Sequence, residues 1–231
     1  MALSIHTLEA LGFSSFFRQQ SLALVVDTPG ADLVCARVAV EHRGAYDLES
    51  EAGPLAGFIP GSLRHRAHDQ LDLPAVGDWV VVDPATGLIA HVLERRTHFV
   101  RQRAGRRTEP QVIAANIDTA FVVCSATQEF NPRRLERYRM AIARGGAEVV
   151  FVLNKADLCS PAELAELSAR LPSGTPSVTI SALAADGLGQ LGPWVRRSSN
   201  ECKFRPPSCF RTNVSSVRTL ATSRAIQHSK T

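Results

Sequence analysis

Uninterrupted apolar runs alternate with helical patterns between Ala114 and Trp194, and this alternation limits the possible folds more than any other feature of the chain. The predicted strands are Ile117–Ser125, Glu148–Asn154 and Ser177–Ser181, and the predicted helices are Asn131–Arg144 and Pro161–Arg170. Continuously apolar strands are typical of a parallel sheet that is covered on both faces. We therefore predict a parallel α/β unit, although three strands are few for a doubly wound domain.

The residues before about Arg107 have a different texture. Short apolar or alternating runs are separated by turn residues such as Pro29-Gly30 and Gly53-Pro54, and the predicted strands are Leu22–Asp27, Leu33–His42, Tyr46–Glu49, Leu55–Ile59, Asp78–Asp83 and Leu88–Leu93. Five or six short strands at this spacing favour a small closed β-barrel. A small β-sandwich is the alternative that the pattern leaves open.

The residues from Val195 to Thr231 show neither periodicity, and they contain no glycine. We predict a disordered tail over 196–231. Eight of the 26 Lys and Arg residues lie in this tail beside one acid, Glu201, so the preceding part of the chain has a net charge of −3. The overall charge of +4 therefore does not indicate nucleic-acid binding, which has to be argued from local clusters.

The cysteines and the apolar segments bound the cellular setting. The five cysteines are scattered without a CxxC pair, which favours reduced thiols in a cytoplasmic protein over disulfides or a zinc site. No apolar stretch approaches the roughly 20 residues of a membrane span, and the first residues do not resemble a secretory signal. We expect no membrane partner and no metal ligand in this chain.

The loop Asn154-Lys155-Ala156-Asp157 directly follows a predicted buried strand. Ligands of parallel α/β sheets bind beyond the carboxyl ends of the strands. A carboxylate at Asp157 could accept hydrogen bonds from both N1–H and the exocyclic amine of guanine, which adenine cannot donate. In GTPases with this motif the asparagine holds the base and the loop, and the lysine stem covers the ring. The alternative is an ordinary strand-to-helix turn with Asp157 as a helix cap.

A second short motif follows the next strand and favours the guanine-binding interpretation. Ser181-Ala182-Leu183 lies one helix and one strand after Asp157. In GTPases this loop places a backbone N–H on guanine O6. The two motifs in this order predict a nucleotide-binding set made of Asn154, Lys155, Asp157, Ser181, Ala182 and Leu183.

A phosphate-binding loop with the pattern GxxxxGK[ST] is not found in this sequence. Such a loop needs a lysine between glycine and Ser or Thr, and the three lysines of the chain, Lys155, Lys203 and Lys230, have no such setting. We therefore predict a chain that specifies guanine but binds GTP weakly or not at all, and we assign no catalytic residue.

Two arginine clusters are candidates for RNA phosphate contacts. One lies in Arg95–Gln111, which contains six arginines, and the other is Arg64-His65-Arg66. Small five-stranded barrels of the OB type bind oligonucleotides, so the predicted RNA-binding residues are Arg64, Arg66, Arg101, Arg103, Arg106 and Arg107. A solvated linker and a solvated loop are the alternative interpretation.

Several longer stretches resemble the ribosome small-subunit-dependent GTPase A family, a family of circularly permuted GTPases. They are LGF at 11–13, HRGAY at 42–46, LRHRA at 63–67, LPAVGDWV at 73–80, FVRQRAGRRTEPQVIAANIDTAFVV at 99–123, FNPRRLERY at 130–138 and FVLNKADLC at 151–159. The resemblance covers about residues 8–195. In this family the base-reading loops precede the phosphate-binding loop, which is the order that the chain shows as far as it goes.

The resemblance implies an N-terminal extension at 1–30, an OB-fold RNA-binding barrel at 31–107 and a partial, circularly permuted GTPase domain at 108–195. It also implies GTP hydrolysis in late maturation of the small ribosomal subunit, with that subunit and its rRNA as partners of a monomeric protein. Intact members hold Mg²⁺ and Zn²⁺ through segments that do not appear here after Trp194, and a frameshift near Val195 is our hypothesis for the tail. A non-catalytic rRNA-binding module and an inactive fragment are the alternatives.

Overall fold

Two sheets and one hairpin form the framework of the described part of the chain, which comprises residues 8–26, 32–67, 69–102, 110–127, 130–197 and 217–222 of this computed structural model. The first sheet belongs to the N-terminal region and the second to the region with alternating strands and helices. Among these residues, no helix is both long and apolar enough to cross a lipid bilayer.

The first sheet has five antiparallel strands in the order β3-β2-β1-β4-β5. The strands are β1 (Val34–Glu41), β2 (Ala45–Ser50), β3 (Gly53–Phe58), β4 (Trp79–Val82) and β5 (Ile89–Val92). A parallel bridge between Phe58 and Leu88 brings the two outer strands together. The side chains enclosed by the sheet are buried, and they are Ala36, Val38, Tyr46, Leu48, Val80, Val82 and Ile89.

The prediction of a strand over Leu22–Asp27 is wrong, because residues up to Val26 belong to the helix α1 (Ser15–Val26). A short apolar run fits a strand or a helix equally well, and tertiary packing decides between them. Here Phe13 and Phe17 pack against the buried Trp79, with ring centroids 4.8 and 5.9 Å away, so a helix covers the outside of β4. Asp27 lies outside the described residues.

A short helix, α2 (Gly61–Arg66), connects β3 to β4 by way of a 3-10 turn at Gln70–Asp72. After β5 the chain forms the hairpin of β6 (His98–Gln102) and β7 (Pro110–Ala115). Gly77 touches this hairpin, since a Cβ on Gly77 would lie 2.1 Å from the carbonyl oxygen of Ala115, and its φ is +92°. The close approach therefore requires glycine at this position.

Asp78 and Arg95 form an ion pair at the same junction. The Asp78 side chain is fully buried, and Arg95 donates to it from Nε at 2.8 Å and from Nη2 at 2.6 Å. Arg95 also donates to the carbonyl oxygens of Leu71 and Leu73. The first arginine of the Arg95–Gln111 cluster therefore has a structural role and is not available to RNA.

The second sheet confirms the predicted parallel α/β unit. Strands β8 (Thr119–Ser125), β9 (Glu148–Asn154) and β10 (Ser177–Thr179) are parallel, and they are connected by helices α3 (Pro132–Arg144) and α4 (Pro161–Ala169). Asn131 caps α3 by accepting from Arg134 N, and Ser160 forms a capping box with Glu163 at the start of α4.

Both faces of this sheet are covered, which explains its uninterrupted apolar strands. On β9, Phe151 and Leu153 join the core beneath α3, whereas Val150 and Val152 join a second core on the opposite face. The second core is completed by Trp194 from α5 (Gly192–Arg197), whose Nε1 donates to Glu148 Oε1 at 3.2 Å. A strand that is buried on two faces cannot show polar alternation.

The edge of β8 is paired with a segment from the predicted disordered tail. Strand β11 (Val217–Thr222) runs antiparallel to β8, from Val217 opposite Cys124 to Thr222 opposite Thr119. These six residues of the predicted tail are extended along β8, while 198–216 and 223–231 lie outside the described residues. An open sheet edge offers unpaired N–H and C=O groups, and a segment rich in Val and Thr suits them.

Candidate functional site

The predicted guanine loop begins where β9 ends. Asn154 is the last residue of that strand, and Lys155 follows in the left-handed region with a φ of 68°. This reversal starts the 3-10 turn Ala156–Leu158, in which Asp157 is exposed to solvent. The loop therefore presents a carboxylate beyond the carboxyl end of a parallel strand, where α/β sheets bind their ligands.

The second predicted loop is held beside the first by main-chain hydrogen bonds. Ile180 N donates to Leu153 O at 2.9 Å, and Ala156 N donates to Ile180 O at 3.1 Å. Ser181 and Asp186 exchange two further bonds of 3.0 Å, which close the loop between them. The ends of β9 and of the β10 segment are thus tied together before any side chain contributes.

Two polar side chains then join the loops directly. The hydroxyl of Ser181 donates to Asp157 Oδ1 at 2.5 Å, and Ser181 is only 2% exposed. Asn154 Oδ1 accepts from Lys155 N at 2.8 Å and from Ala182 N at 3.0 Å. The structure therefore brings five of the six predicted nucleotide-binding residues into one hydrogen-bonded group.

Leu183, the sixth predicted residue, is 92% exposed. It lies in the turn that Ser181 and Asp186 close, and the Ser181 hydroxyl also accepts from Ala184 N at 3.1 Å. The loop around Leu183 is therefore fixed at its base while the leucine side chain itself faces solvent.

The group offers a fixed acceptor. Ser181 orients the Asp157 carboxylate through one hydrogen bond to Oδ1, while Asp157 as a residue is exposed to solvent. A carboxylate accepts hydrogen bonds in up to four directions, so one bond from Ser181 does not saturate it. The arrangement can bind a group that presents two adjacent N–H donors, such as one edge of guanine.

Sequence reasoning missed the supports of this site. It assigned Ser181 only a backbone role, whereas its side chain positions Asp157. It also missed Ala126 at the end of β8, whose N–H donates to Asn154 O at 2.8 Å and whose carbonyl accepts from Cys159 Sγ at 2.7 Å. These contacts join residues far apart in sequence, and only the place of Ser181 directly after a strand hinted at them.

The predicted RNA-binding arginines lie on two separate elements. Arg64 and Arg66 are exposed on α2, where Arg66 Nη2 lies 3.5 Å from Ala90 O. Arg101 is partly exposed on β6. The other three lie outside the described residues, and they are Arg103, Arg106 and Arg107.

Comparison with protein families identifies the region that contains the predicted guanine loop. Residues 92–200 match a family model described as RsgA GTPase. These residues belong to the RsgA GTPase family. The prediction of a circularly permuted GTPase family, made from the motifs and their order, is thereby confirmed.

Curated RsgA proteins extend the match beyond this region. The chain is 39% identical over 203 residues to "Small ribosomal subunit biogenesis GTPase RsgA" of Opitutus terrae, a match that covers 82% of the chain and 54% of the relative. It is 38% identical over 182 residues to the protein of the same name from Syntrophotalea carbinolica, covering 74% of the chain and 50% of the relative. The chain thus spans about half the length of the curated relatives it matches.

Two solved structures share the fold. YjeQ from Thermotoga maritima superposes with a TM-score of 0.53 at 21% identity, covering 71% of this chain and 57% of YjeQ. YloQ, described as a circularly permuted GTPase, gives a TM-score of 0.50 at 18% identity, covering 72% and 58%. At these identities the likeness supports the fold of the RsgA-like chain and not its chemistry.

Proposed function

We propose that this chain recognises guanine, as the base-reading part of a GTPase that acts in small ribosomal subunit biogenesis. The single observation that supports this most is the bond from the buried Ser181 hydroxyl to the exposed Asp157 carboxylate. Asn154 adds to it by joining both loops through one side-chain oxygen. The printed names of the curated RsgA relatives support the biological setting.

The proposed recognition follows from the chemistry of the two purine edges. Guanine donates from N1 and from its exocyclic amine, and Asp157 accepts both bonds. Hydrogen bonds to a charged group contribute about 1.5–3 kcal/mol each, so the pair can discriminate strongly. Adenine has an acceptor at N1 and no amine at C2, which leaves the Asp157 carboxylate unsatisfied. Lys155 would cover the base with its stem, and Ala182 N would lie near O6.

Affinity is a separate matter from specificity. Phosphate contacts supply much of the binding energy of nucleotides in GTPases, and this sequence contains no GxxxxGK[ST] loop. We propose that this chain binds GTP only at about the millimolar level, or about −4 kcal/mol, and does not hydrolyse it. No residue of this chain is proposed to bind Mg²⁺ or Zn²⁺.

Replacing Asp157 by Asn tests the proposed base recognition. An amide at this position can donate to a carbonyl at C2, so the variant is expected to lose guanosine and to gain xanthosine, which carries that carbonyl. We expect guanosine affinity to fall at least tenfold, because about 1.4 kcal/mol or more of hydrogen bonding is lost. The measurement is an NMR titration of amide resonances with guanosine, GTP, adenosine and xanthosine.

Asp186→Asn is the matched control, because Asp186 is an exposed acid in the adjoining loop whose main chain closes that loop. It should leave the preference for guanosine unchanged. Equal responses to adenosine and guanosine in the wild-type chain would contradict base recognition. Micromolar binding of GTP would contradict the proposed weak affinity while leaving the base specificity intact.

We further propose that the N-terminal sheet is an OB-type barrel that binds rRNA. The strand order β3-β2-β1-β4-β5, the bridge from Phe58 to Leu88 and the position of α2 between β3 and β4 support a closed five-stranded barrel. Arg64 and Arg66 on α2 would contact phosphates. A non-catalytic rRNA-binding role is the second candidate function, and salt-sensitive RNA binding without GTP turnover would favour it.

A further inference from the structure

The outer face of α3 carries a row of arginines that neither the fold nor the guanine site uses. Leu135 and Ile142 are 1% and 0% exposed and face the core. The solvent side has the following residues, all exposed: Arg133, Arg137, Met140 and Arg144. At 3.6 residues per turn they fall within a sector of about 60°, opposite the buried side.

The three arginines of this row, which we term the α3 arginine row, share their helix with one acid, Glu136, which lies three residues after Arg133. The only acid in α3, Glu136, binds Arg139, whose Nε lies 3.0 Å from Glu136 Oε2. Within the described part of the chain, none of the row's arginines forms an ion pair. The α3 arginine row therefore presents three positive charges, whereas residues 1–195 as a whole are net negative.

The helix α3, although not its arginine row, packs against the hairpin strand β6. His98 N donates to Gly145 O at 2.9 Å, at the end of α3, and the Phe99 and Tyr138 ring centroids are 6.5 Å apart. These contacts fix β6, with Arg101, against the helix. The helix that carries the row is thereby held in a fixed position on the described fold.

We propose that the α3 arginine row binds the phosphate backbone of RNA. The row spans about 16 Å, and its first two arginines are one turn apart, so each guanidinium can meet a different phosphate. Arginine suits this contact because its planar fork donates two hydrogen bonds to one phosphate. A protein partner would need a more apolar centre than the single Met140 offers. The choice of RNA as the partner rests on the proposed ribosomal function, whereas the observation of the α3 arginine row does not.

The test compares two full-length variants with the same net charge. In the first, Arg133, Arg137 and Arg144 are all replaced by Gln. In the second, Ala162, Ala165 and Ala169 on the exposed face of α4 are all replaced by Glu. Each variant lowers the net charge by three, but only the first removes the α3 arginine row. The probe is protein-free RNA transcribed from the small-subunit rRNA, and binding is measured by fluorescence anisotropy across a salt series.

We expect the α3 variant to bind RNA at least tenfold more weakly near 0.1 M salt, and its log–log salt slope to fall by about 2–3, at 0.7–0.9 per lost phosphate contact. The α4 variant should keep most of the slope. Equal losses in both variants, or an unchanged slope in the α3 variant, would overturn the proposal. Weaker binding to intact subunits with unchanged binding to free RNA would also overturn it, because the partner would then be a protein.

Two further sets of variants test the proposal if the triple variant does not fold or if the barrel also binds RNA. If circular dichroism shows that the triple variant is unfolded, Arg133→Gln and Arg144→Gln are measured singly, and each should lower the slope by about 0.7–0.9. A variant with Arg64→Gln and Arg66→Gln reports on the barrel. If only the Arg64→Gln, Arg66→Gln variant binds RNA more weakly, the α3 proposal is refuted and the barrel proposal stands. If only the α3 variant binds RNA more weakly, the barrel proposal is refuted and the α3 proposal stands.

Discussion

At the scale of single residues, the loop Asn154–Asp157 depends on a backbone conformation that its lysine does not favour. Lys155 has a φ of 68°, where a residue with a Cβ is less stable than glycine by about 1–2 kcal/mol. The Asn154 side chain stabilises this geometry by accepting from Lys155 N. Retention of lysine at a strained position is understandable if its side chain acts on the ligand.

Variants of Lys155 can separate backbone strain from base contact. Lys155→Gly relieves the strain and Lys155→Ala keeps it, while both remove the stem that would cover the base. We expect the free energy of unfolding of the Gly variant to be about 1 kcal/mol higher than that of the Ala variant, as measured by urea denaturation. Both should bind guanosine several-fold more weakly. If the Ala variant is as stable as the Gly variant, the backbone at position 155 is not strained. If both variants bind guanosine as the wild-type chain does, the Lys155 side chain does not contact the base.

At the scale of elements, a buried ion pair ties the N-terminal sheet to the residues that follow it. Asp78 lies just before β4 and Arg95 just after β5, and Arg95 also holds the carbonyls of the Gln70–Asp72 turn region. Burial raises the pKa of Asp78, while the Arg95 guanidinium opposes that rise. The pair is therefore sensitive to the loss of either partner.

Replacing Arg95 by Met should leave a buried carboxylate without its counter-charge. We expect the free energy of unfolding to fall by about 3–5 kcal/mol at pH 7. The folded-state pKa of Asp78 would rise further above its ordinary value of 3.8, so the protonated form would be favoured in the folded chain. The destabilisation should therefore be smallest below about pH 4 and should grow as the pH rises through the folded-state pKa.

Urea denaturation of this variant at several pH values measures the effect. Adding Asp78→Asn to the Arg95→Met variant removes the buried carboxylate. The stability of the double variant should therefore no longer show the pH dependence that comes from Asp78. A loss of stability that is the same at pH 4 and pH 7 would show that Arg95 acts through its packing rather than through its charge.

At the scale of the whole molecule, the α/β sheet ends in a strand from the far end of the described chain. β11 pairs with β8 along its full length and in antiparallel sense, whereas the other pairs of this sheet are parallel. Without that strand, the N–H and C=O groups of β8 that face this edge would be unpaired. Such edges promote association between chains.

Replacing Leu220 by Pro should open this edge, because proline cannot donate a main-chain hydrogen bond and its ring restricts the backbone. We expect concentration-dependent self-association of the variant, measured by light scattering coupled to size-exclusion chromatography. Leu220→Ala keeps the N–H and is the control, which should elute as the wild-type chain does. If the Pro variant elutes like the Ala variant at all concentrations, then β11 does not protect the edge.

The sequence predicted most of the second region and less of the first. The continuous apolar pattern of β9 and the motif at Asn154–Asp157 were sufficient to place a strand and a loop, since both depend on short-range order. The strand predicted at Leu22 failed because five apolar residues without alternation do not distinguish a strand from a helix. The structural role of Arg95 was missed because its partner is 17 residues away.

The sequence by itself determined the family, the parallel strands and the position of the loop Asn154–Asp157, because apolar period and motif order are local properties of the chain. Only the tertiary structure decided how that loop is held, through the Ser181 hydroxyl on Asp157 and the Asn154 oxygen on Ala182 N. It alone also separated the ion-paired, partly buried Arg95 from the exposed arginines of α3. Hydrogen bonds and burial depend on which residues that are distant in sequence come into contact. Composition and motif spacing do not specify those contacts.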